Sequence, residues 1–169
     1  MYIRQERPED RDLVYQLIKA SFAHAEHRDG HEQDLAAALR ESGSFIPELS
    51  LVAVEDGKLV GHILFTRAFV DGTEVLALAP LSVLPGYQGR GIGSALIRRG
   101  HAAASALGYG YSVVLGHPKY YPKAGYVPAS RYGIQAPFAV DDECFMAVRL
   151  REDAGRLHGV IEYDRAFGI

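Results

Sequence analysis

A glycine-rich run occupies positions 88–93, between an apolar stretch that ends at Leu84-Pro85 and an alanine-rich stretch that begins near Ser94. The run reads Gln-Gly-Arg-Gly-Ile-Gly, with glycine at every second position. Glycine lets the backbone turn tightly and approach a ligand closely, and the first turn of a helix leaves its N–H groups unpaired. Such N–H groups bind phosphate readily. The run therefore predicts an anion site at a strand-to-helix junction.

Two common phosphate-binding patterns do not fit these residues. The dinucleotide pattern G-x-G-x-x-G needs a third glycine where Ser94 or Leu96 stands. The Walker pattern needs lysine directly after Gly91, where the chain has Ile92. The spacing that does match is Q-x-x-G-x-G over 88–93. A turn that merely connects a strand to a helix is the alternative interpretation.

Composition narrows the class of protein. The chain has 169 residues, a length typical of one domain with its own hydrophobic core. Lysine and arginine number 18 against 21 acidic residues, so a net charge of -3 provides no basic field for nucleic acid or an anionic membrane. The charged start at 1–10 and the lack of long apolar runs predict neither a signal peptide nor a membrane helix. We expect a single cytoplasmic domain over 1–169, without nucleic-acid or membrane partners.

The thiol and imidazole groups do not indicate a metal site. Cys144 is the only cysteine, and its apolar neighbours predict a buried structural thiol rather than a nucleophile. His24, His27 and His31 have helical spacing, but Gly30 interrupts the run and no cysteine supports it. We therefore expect a solvated loop and no metal.

The first half of the chain predicts helices followed by an antiparallel meander. Apolar residues recur at helical spacing from Pro8 to about Ala23, and a weaker helical pattern ends at Ser42-Gly43. Two Asp-Gly pairs, which suit tight hairpins, then separate three strand-like stretches. These stretches are 51–55, 58–70 and 73–84, after a short first strand at 2–7. Pro80 has no N–H donor, so it marks an edge, a bulge or a place where strands part.

The second half predicts a crossover connection. A strand, the glycine run, a helix over 91–107 and a strand over 111–116 form a unit whose two strands are parallel. The helix is expected to bury the face that carries Ile92, Ala95, Leu96, Ala103, Ala106 and Leu107. Pro118 and Pro122 confine any next helix to about a turn and a half. Further strand material lies at 126–128, 144–150 and 159–163.

This order of elements resembles the Gcn5-related N-acetyltransferase (GNAT) fold over nearly the whole chain, with specific motifs at about 79–127. The resemblance implies an α/β (α+β) fold: a mixed, mostly antiparallel sheet, helices on both faces and a splayed central strand pair. In that family the fourth strand pairs its backbone with the pantetheine arm of acetyl-CoA, which implies that Leu81, Ser82 and Val83 lie along pantetheine. The residues implied at the pyrophosphate are Gln88, Gly89, Arg90, Gly91, Ile92, Gly93 and Ser94.

A second motif, at 120–126, resembles the family's F-Y-x-x-x-G-F segment. Through this resemblance, Tyr121 takes the place of the tyrosine that protonates the departing thiolate. The chemistry is consistent, because a phenol with a pKa of about 10 can give a proton at neutral pH to a thiolate whose conjugate acid has a pKa of about 8.5. The alternative is that Tyr120, Tyr121 and Tyr126 only pack against the sheet.

The end of the fifth strand departs from the commonest family pattern. It reads Gly116-His117-Pro118 and lacks the usual asparagine and alanine. This form resembles a bacterial subgroup, the YhbS-like predicted acetyltransferases, whose acceptors are poorly defined, so the resemblance does not identify the acceptor. His117 is either a base or a residue that holds the turn by hydrogen bonds, and the constrained backbone before proline favours the second role.

No single residue is identified as the base that deprotonates the acceptor. In the resembling fold, the loop between the first two helices and the later strands line the acceptor cleft. The candidates on these segments are His24, Glu26, His27, Asp29, His31, Glu32, Asp141, Asp142 and Glu143.

The sequence therefore predicts an N-acetyltransferase that uses acetyl-CoA as cosubstrate and transfers the acetyl group directly to a primary amine in a ternary complex. The acceptor is expected to be a small-molecule or peptide amine, and the oligomeric state is open, a homodimer included. One alternative is a non-catalytic acyl-CoA sensor or partner-binding module on the same fold. Another is an acyltransferase with a different acyl donor or a hydroxyl acceptor.

Overall fold

The fold is built on a nine-stranded, mostly antiparallel sheet, in a computed structural model that describes residues 1–24 and 30–169. The strands are β1 (Tyr2–Gln5), β2 (Phe45–Glu55), β3 (Lys58–Val70), β4 (Thr73–Val83), β5 (Tyr111–Leu115), β6 (Val127–Pro128), β7 (Ile134–Gln135), β8 (Phe145–Arg149) and β9 (Gly159–Glu162). The main path runs β1-β2-β3-β4-β5-β8-β6, while β9 pairs with β3 and β7 with β9. The predicted mixed, mostly antiparallel sheet is confirmed.

The meander β2-β3-β4 is antiparallel, as the Asp-Gly pairs predict. Asp56 and Gly57 have φ values of 50° and 74°, and Asp71 and Gly72 have values of 47° and 77°. Two successive left-handed residues match the twist of the strands that a tight hairpin joins. The hairpin bounds were predictable because this backbone geometry demands those residue types.

The strands β4 and β5 run parallel and are in register at Leu76↔Ser112 and Ala77↔Val113. Just beyond these pairs, the register of β4 against β3 shifts between Leu78 and Leu81, across the segment that contains Pro80. A shift of this kind bends a strand and changes its twist. Pro80 therefore lies where β4 leaves β5, which confirms the predicted bulge and the splayed strand pair.

Helices cover both faces of the sheet. The helices α1 (Arg11–Phe22) and α2 (Glu32–Arg40) pack on one face, and α3 (Ile92–Ala106) packs on the other. Among the described residues, no helix is long and apolar enough to cross a bilayer. The packing leaves the ends of β4 and β5 between two helical layers, at the position where a site can form.

The predicted buried face of α3 was wrong at its C-terminal end. Leu107 is 47% exposed and Ala106 is exposed as well. The buried residues are Ile92, Gly93, Leu96, Ile97, Gly100 and Ala104. A Cβ at Gly100 would lie 2.3 Å from the ring of Phe65, so the helix turns its glycines toward the sheet to approach it closely. A periodicity that counts only side chains misses this contact.

Two strands also differ from their predicted bounds. The strand β2 begins at Phe45 rather than at 51, with a register shift between Phe45 and Ser50 that accommodates the exposed Pro47. The short strand β7 was not predicted, since its two residues carry no periodicity. Its pairing with β9 depends on chain segments far apart in sequence.

A buried ionic cluster ties α2 to β1–β3. Arg40 donates two hydrogen bonds to Glu6, at 2.7 and 2.9 Å, and Ser50 donates to Glu6 at 3.1 Å. The imidazole Nε2 of His62 lies 3.1 Å from the same Ser50 hydroxyl. His62 is fully buried, and desolvation lowers its pKa to about 4 despite the charge of Glu6. The folded state therefore holds this histidine neutral.

This neutral histidine makes stability depend on pH. His62 ionises with a pKa of 6.5 in the unfolded chain and about 4 in the fold, so the unfolded state binds more protons between these values. Its contribution is present above pH 6.5 and falls by about 3 kcal/mol as the pH drops toward 4. Urea unfolding from pH 7 to 4.5 measures the slope. Burial lowers the pKa of His101 to about 4 as well, so His62→Gln is expected to reduce the slope without abolishing it, and His158→Gln, at an exposed position, is the control. An unchanged slope in His62→Gln would contradict the assignment.

Candidate functional site

A cleft of about 1080 Å³ opens where β4 and β5 part. One wall is the end of β4 together with the glycine loop, and the facing wall is the end of β5 together with a 3₁₀ turn, Tyr121–Ala124. Phe22 at the end of α1 and two residues of α2, Glu32 and Leu35, line the cleft as well. The cleft therefore reaches from the start of α3 to the helices on the other face of the sheet.

The glycines of the loop have two different structural roles. Gly89 and Gly91 have φ values of 77° and 81°, a left-handed backbone that favours glycine, and a Cβ at either would meet open space. Gly93 instead lies in the first turn of α3, where a Cβ would lie 2.2 Å from the hydroxyl oxygen of Tyr120. Gly89 and Gly91 thus make the turn, and Gly93 leaves room for the phenol of Tyr120 at the N-terminus of α3. The backbone N–H groups of this turn are those for which the sequence predicts an anion site, and that site stays a prediction.

The side chains of Gln88 and Arg90 are already engaged. Gln88 donates from Nε2 to the carbonyl oxygen of Val83 at 3.0 Å, and Ser21 donates to the same oxygen at 3.0 Å. Gln88 thus ties the loop to β4. Arg90 lies 3.5 Å from a carboxylate oxygen of Glu55 and stacks over the Tyr87 ring at 5.1 Å, and it is not among the cleft-lining residues. A phosphate contact from the Arg90 side chain stays a prediction.

The three β4 residues implied at pantetheine alternate in direction. Leu81 and Val83 line the cleft and pack on the α3 side, whereas Ser82 is 2% exposed and lies opposite His62 in register. Within residues 1–24 and 30–169 the Ser82 hydroxyl has no hydrogen-bond partner, and it lies outside the cleft lining. Any contact of Ser82 with a ligand in the cleft must come from its backbone. The predicted backbone contact remains a prediction.

Tyr121 lies on the wall of the cleft, over Gly116. A Cβ at Gly116 would lie 2.4 Å from the Tyr121 ring, so glycine there lets the aromatic ring lie flat against the end of β5. The ring also makes edge contacts with Tyr120 and Tyr126, at centroid distances of 5.1 and 5.6 Å. Burial raises the pKa of Tyr121 far above that of an ordinary phenol. The group therefore keeps its proton at neutral pH, and the same burial makes it a weaker acid than an ordinary phenol.

Tyr120 and Lys123 lie at the loop end of the same wall. The Tyr120 hydroxyl contacts Gly93, and burial raises its pKa while a hydrogen bond with Ser94 opposes the shift. Lys123 places its ammonium 5.3 Å from the centroid of the Tyr120 ring. The sequence motifs predicted a binding role for neither residue. Their place inside the aromatic motif was the available signal, but only the fold brings that motif to the glycine loop.

Tyr126 has a structural position. It is 1% exposed, and its hydroxyl lies 2.8 Å from Ser112 Oγ and 3.0 Å from His101 Nε2. These contacts bridge β5 and α3 beneath the cleft. Of the three tyrosines in the motif, Tyr126 therefore has the packing role that was the alternative to catalysis.

Only some of the candidate bases lie near the cleft. Within 1–24 and 30–169, Glu32 is the candidate that lines it, with one carboxylate oxygen shielded from solvent. Glu26, His27 and Asp29 lie outside the described residues. The remaining candidates are exposed and do not line the cleft: His24, His31, Asp141, Asp142 and Glu143.

Cys144 differs from the prediction of a buried thiol. It is only half-buried and lines the cleft. The strand that follows it, β8, pairs with β5 and brings Cys144 next to Leu115 at the end of β5. The Cys144 sulfur and carboxylate oxygens of Asp141 and Glu143 all lie within 4.8 Å of one another. Both acids are exposed, an arrangement that is common without a metal. We assign no metal to this group.

His117 holds the turn that follows β5. Its Nδ1 accepts a hydrogen bond from the backbone N–H of Lys119 at 3.1 Å, and its carbonyl oxygen accepts one from Tyr120 at 3.1 Å. The predicted turn-holding role is confirmed. The residue is exposed and also lines the cleft.

Comparison with known sequences gives consistent matches. The profile of the Acetyltransferase (GNAT) family matches residues 11–126. The chain is 44% identical over 138 residues to the uncharacterized N-acetyltransferase YjhQ of Escherichia coli (strain K12), which covers 77% of this chain and 76% of the relative. It is 30% identical over 171 residues to the uncharacterized N-acetyltransferase YhbS of the same strain, over 99% and 98% of the two chains.

Two solved structures share the fold. The crystal structure of YhbS from Escherichia coli in complex with CoA has a TM-score of 0.89 and 29% identity, and the match covers 99% of this chain and 92% of that one. A GNAT family acetyltransferase from Brucella melitensis in complex with acetyl-CoA has a TM-score of 0.81 and 33% identity, over 98% and 97%. Both structures carry a coenzyme A group.

The contact between Gly93 and Tyr120 can be tested by a double-mutant cycle. Gly93→Ala puts a methyl group against the Tyr120 hydroxyl, so it is expected to cost about 1–2 kcal/mol of unfolding free energy. Tyr120→Phe removes the hydroxyl, and the nearest ring carbon is then 3.5 Å from the Cβ at position 93, an ordinary contact. Most of the loss of unfolding free energy is therefore expected to disappear in this background. The gain in helix propensity is the same in both backgrounds and cancels. Urea unfolding measures the cycle, and equal costs in both backgrounds would refute the contact.

Proposed function

Because the chain belongs to the acetyltransferase (GNAT) family, we propose that it transfers an acetyl group from acetyl-CoA to a primary amine. Acetyl-CoA is the cosubstrate. The observation that carries the proposal is the cleft between the parted β4 and β5, which has the glycine turn and N-terminus of α3 at one end and a protonated phenol on its wall. Acetyl-CoA has a diphosphate group, which a helix N-terminus can bind, and a thioester, whose leaving sulfur a phenol can protonate.

The cosubstrate has a direct route along the cleft. The pyrophosphate binds at the loop Gln88–Ser94, where the N–H groups of the first turn of α3 are free of intrahelical partners. Lys123, beside Tyr120, adds a positive charge to this end. The pantetheine arm then follows β4 along Leu81–Val83, where its amides take the place of the missing β5 backbone. The thioester reaches the wall formed by Tyr121.

The chemistry is a single transfer in a ternary complex. The amine nitrogen attacks the thioester carbonyl carbon, the tetrahedral intermediate collapses and the carbon–sulfur bond breaks. Tyr121 gives its phenolic proton to the departing thiolate, which leaves as the thiol of CoA. The attacking nitrogen must lose a proton to a base, and we propose Glu32 for this role, because its carboxylate lines the cleft. The phenolate is reprotonated from solvent.

The acceptor enters from the side of α1 and α2. Phe22, Leu35 and Leu115 form apolar walls there, beside the carboxylate of Glu32. We propose a small-molecule or peptide amine, held by its nitrogen near this carboxylate. We further propose that residues 1–169 act as one domain in the cytoplasm, as the composition predicts.

Binding of CoA can be measured by thermal unfolding. A ligand at about a hundred times its Kd stabilises the native state by about 2.7 kcal/mol, so CoA is expected to raise the Tm by roughly 5 to 10 °C. Gly93→Val is expected to abolish the shift because it fills the helix N-terminus. Gly43→Ala, at a position with open space, should retain it. No shift of the wild-type protein in millimolar CoA would overturn the site.

Two tyrosine variants separate acid catalysis from binding. Tyr121→Phe keeps the ring but removes the proton, so kcat is expected to fall by about 10²- to 10⁴-fold while CoA affinity survives. Tyr120→Phe is the matched control, which is expected to keep kcat and to weaken CoA a few-fold through the lost contact at Ser94. Thiol release with an amine panel and calorimetry with CoA measure both quantities. Normal turnover by Tyr121→Phe would remove it from the mechanism. Tight acetyl-CoA binding without turnover on any amine would favour a sensor.

A further inference from the structure

The hydrogen bond at His117 determines which ring nitrogen carries the proton. Nδ1 accepts from the Lys119 backbone N–H at 3.1 Å, so it must present a lone pair. A neutral imidazole has one donor nitrogen and one acceptor nitrogen. With Nδ1 as the acceptor, the proton is on Nε2. The ring is thus held as a donor at its outer edge.

The backbone around this ring is held on both sides. The carbonyl oxygen of His117 accepts from Tyr120 N–H at 3.1 Å, and the N–H of Gly116 donates to the carbonyl oxygen of Cys144 at 2.9 Å. Pro118 lies inside the turn and restricts the backbone of His117 further. His117 is exposed and is among the residues that line the cleft, directly after Gly116 and three residues before Tyr120 in the chain. A hydrogen-bond donor whose tautomer is set by the turn therefore lies on the wall of the cleft.

We infer that His117 is a positioning residue that donates a hydrogen bond from Nε2 to a carbonyl-type oxygen of a ligand in the cleft. The inference rests on the proposed function. The oxygen belongs either to an amide of the pantetheine arm or to a carbonyl or carboxylate of the acceptor. His117 is not the base, because Nε2 already carries a proton and the lone pair of Nδ1 is used by Lys119.

Three substitutions separate the two edges of the ring. His117→Asn retains an acceptor near Nδ1, so it keeps the turn bond but removes the outer donor. His117→Gln extends an amide toward the position of Nε2 and is the conservative rescue. His117→Ala removes both. We expect the asparagine variant to unfold like the wild type, whereas the alanine variant loses stability as well as binding.

The two sources of the oxygen give different results. If the partner is pantetheine, His117→Asn weakens CoA about three- to tenfold in calorimetry, the usual worth of one hydrogen bond, and His117→Gln recovers part of the loss. If the partner is the acceptor, CoA affinity is unchanged and the KM for an amine found in the panel rises by the same factor. In both cases the pH profile of kcat/KM keeps its shape.

Three outcomes would overturn the inference. One is an asparagine variant with wild-type CoA affinity and acceptor KM. Another is loss of a limb of the pH profile in His117→Gln, which would make the histidine a base. The third is a ¹⁵N NMR spectrum of the free protein that shows the His117 proton on Nδ1. The NMR measurement needs no ligand, so it tests His117 even if the wild-type protein binds no CoA and the proposed function fails.

Discussion

The site depends on one constraint, the separation of β4 from β5 after a short parallel contact. The two strands are in register only at Leu76↔Ser112 and Ala77↔Val113, and Pro80 lies in the irregular segment that follows. A buried backbone needs hydrogen-bond partners, so a strand that loses its neighbour must find others. At Val83 the partners come from Ser21 and Gln88. Along the rest of the gap, a ligand with amide groups can supply them, and the cleft lies there.

Glycines place aromatic rings against this gap. Gly93 and Gly116 have no side chains to keep Tyr120 and Tyr121 away, and the two rings therefore lie side by side on one wall, 5.1 Å apart between centroids. Their burial differs in its effect. The Tyr120 hydroxyl bonds with Ser94 at the helix N-terminus, whereas Tyr121 is enclosed by other rings and holds its proton more strongly. The two adjacent tyrosines thus differ in environment, one bonded at the helix N-terminus and the other packed among rings.

The other face of the sheet carries a different kind of interaction. Glu6, Arg40, Ser50 and His62 form a buried cluster that joins α2 to three strands. Breaking such a buried pair leaves an uncompensated charge, which is strongly destabilising. The cluster thereby fixes α2, whose first residue, Glu32, lines the cleft. The helix α2 therefore links the buried cluster, through Arg40, to the lining of the cleft, through Glu32.

The sequence alone determined the features that depend on local geometry. Hairpins at Asp-Gly pairs, the glycine turn before α3 and the irregularity at Pro80 follow from the backbone angles that these residues allow. It did not determine which side chains meet across the fold. The contact of Tyr120 with Gly93, the buried glycine face of α3 and the exposure of Cys144 to the cleft arise when distant segments pack. The proton on His117 is likewise set by a neighbour's N–H in the folded turn, because residue type alone leaves both tautomers open.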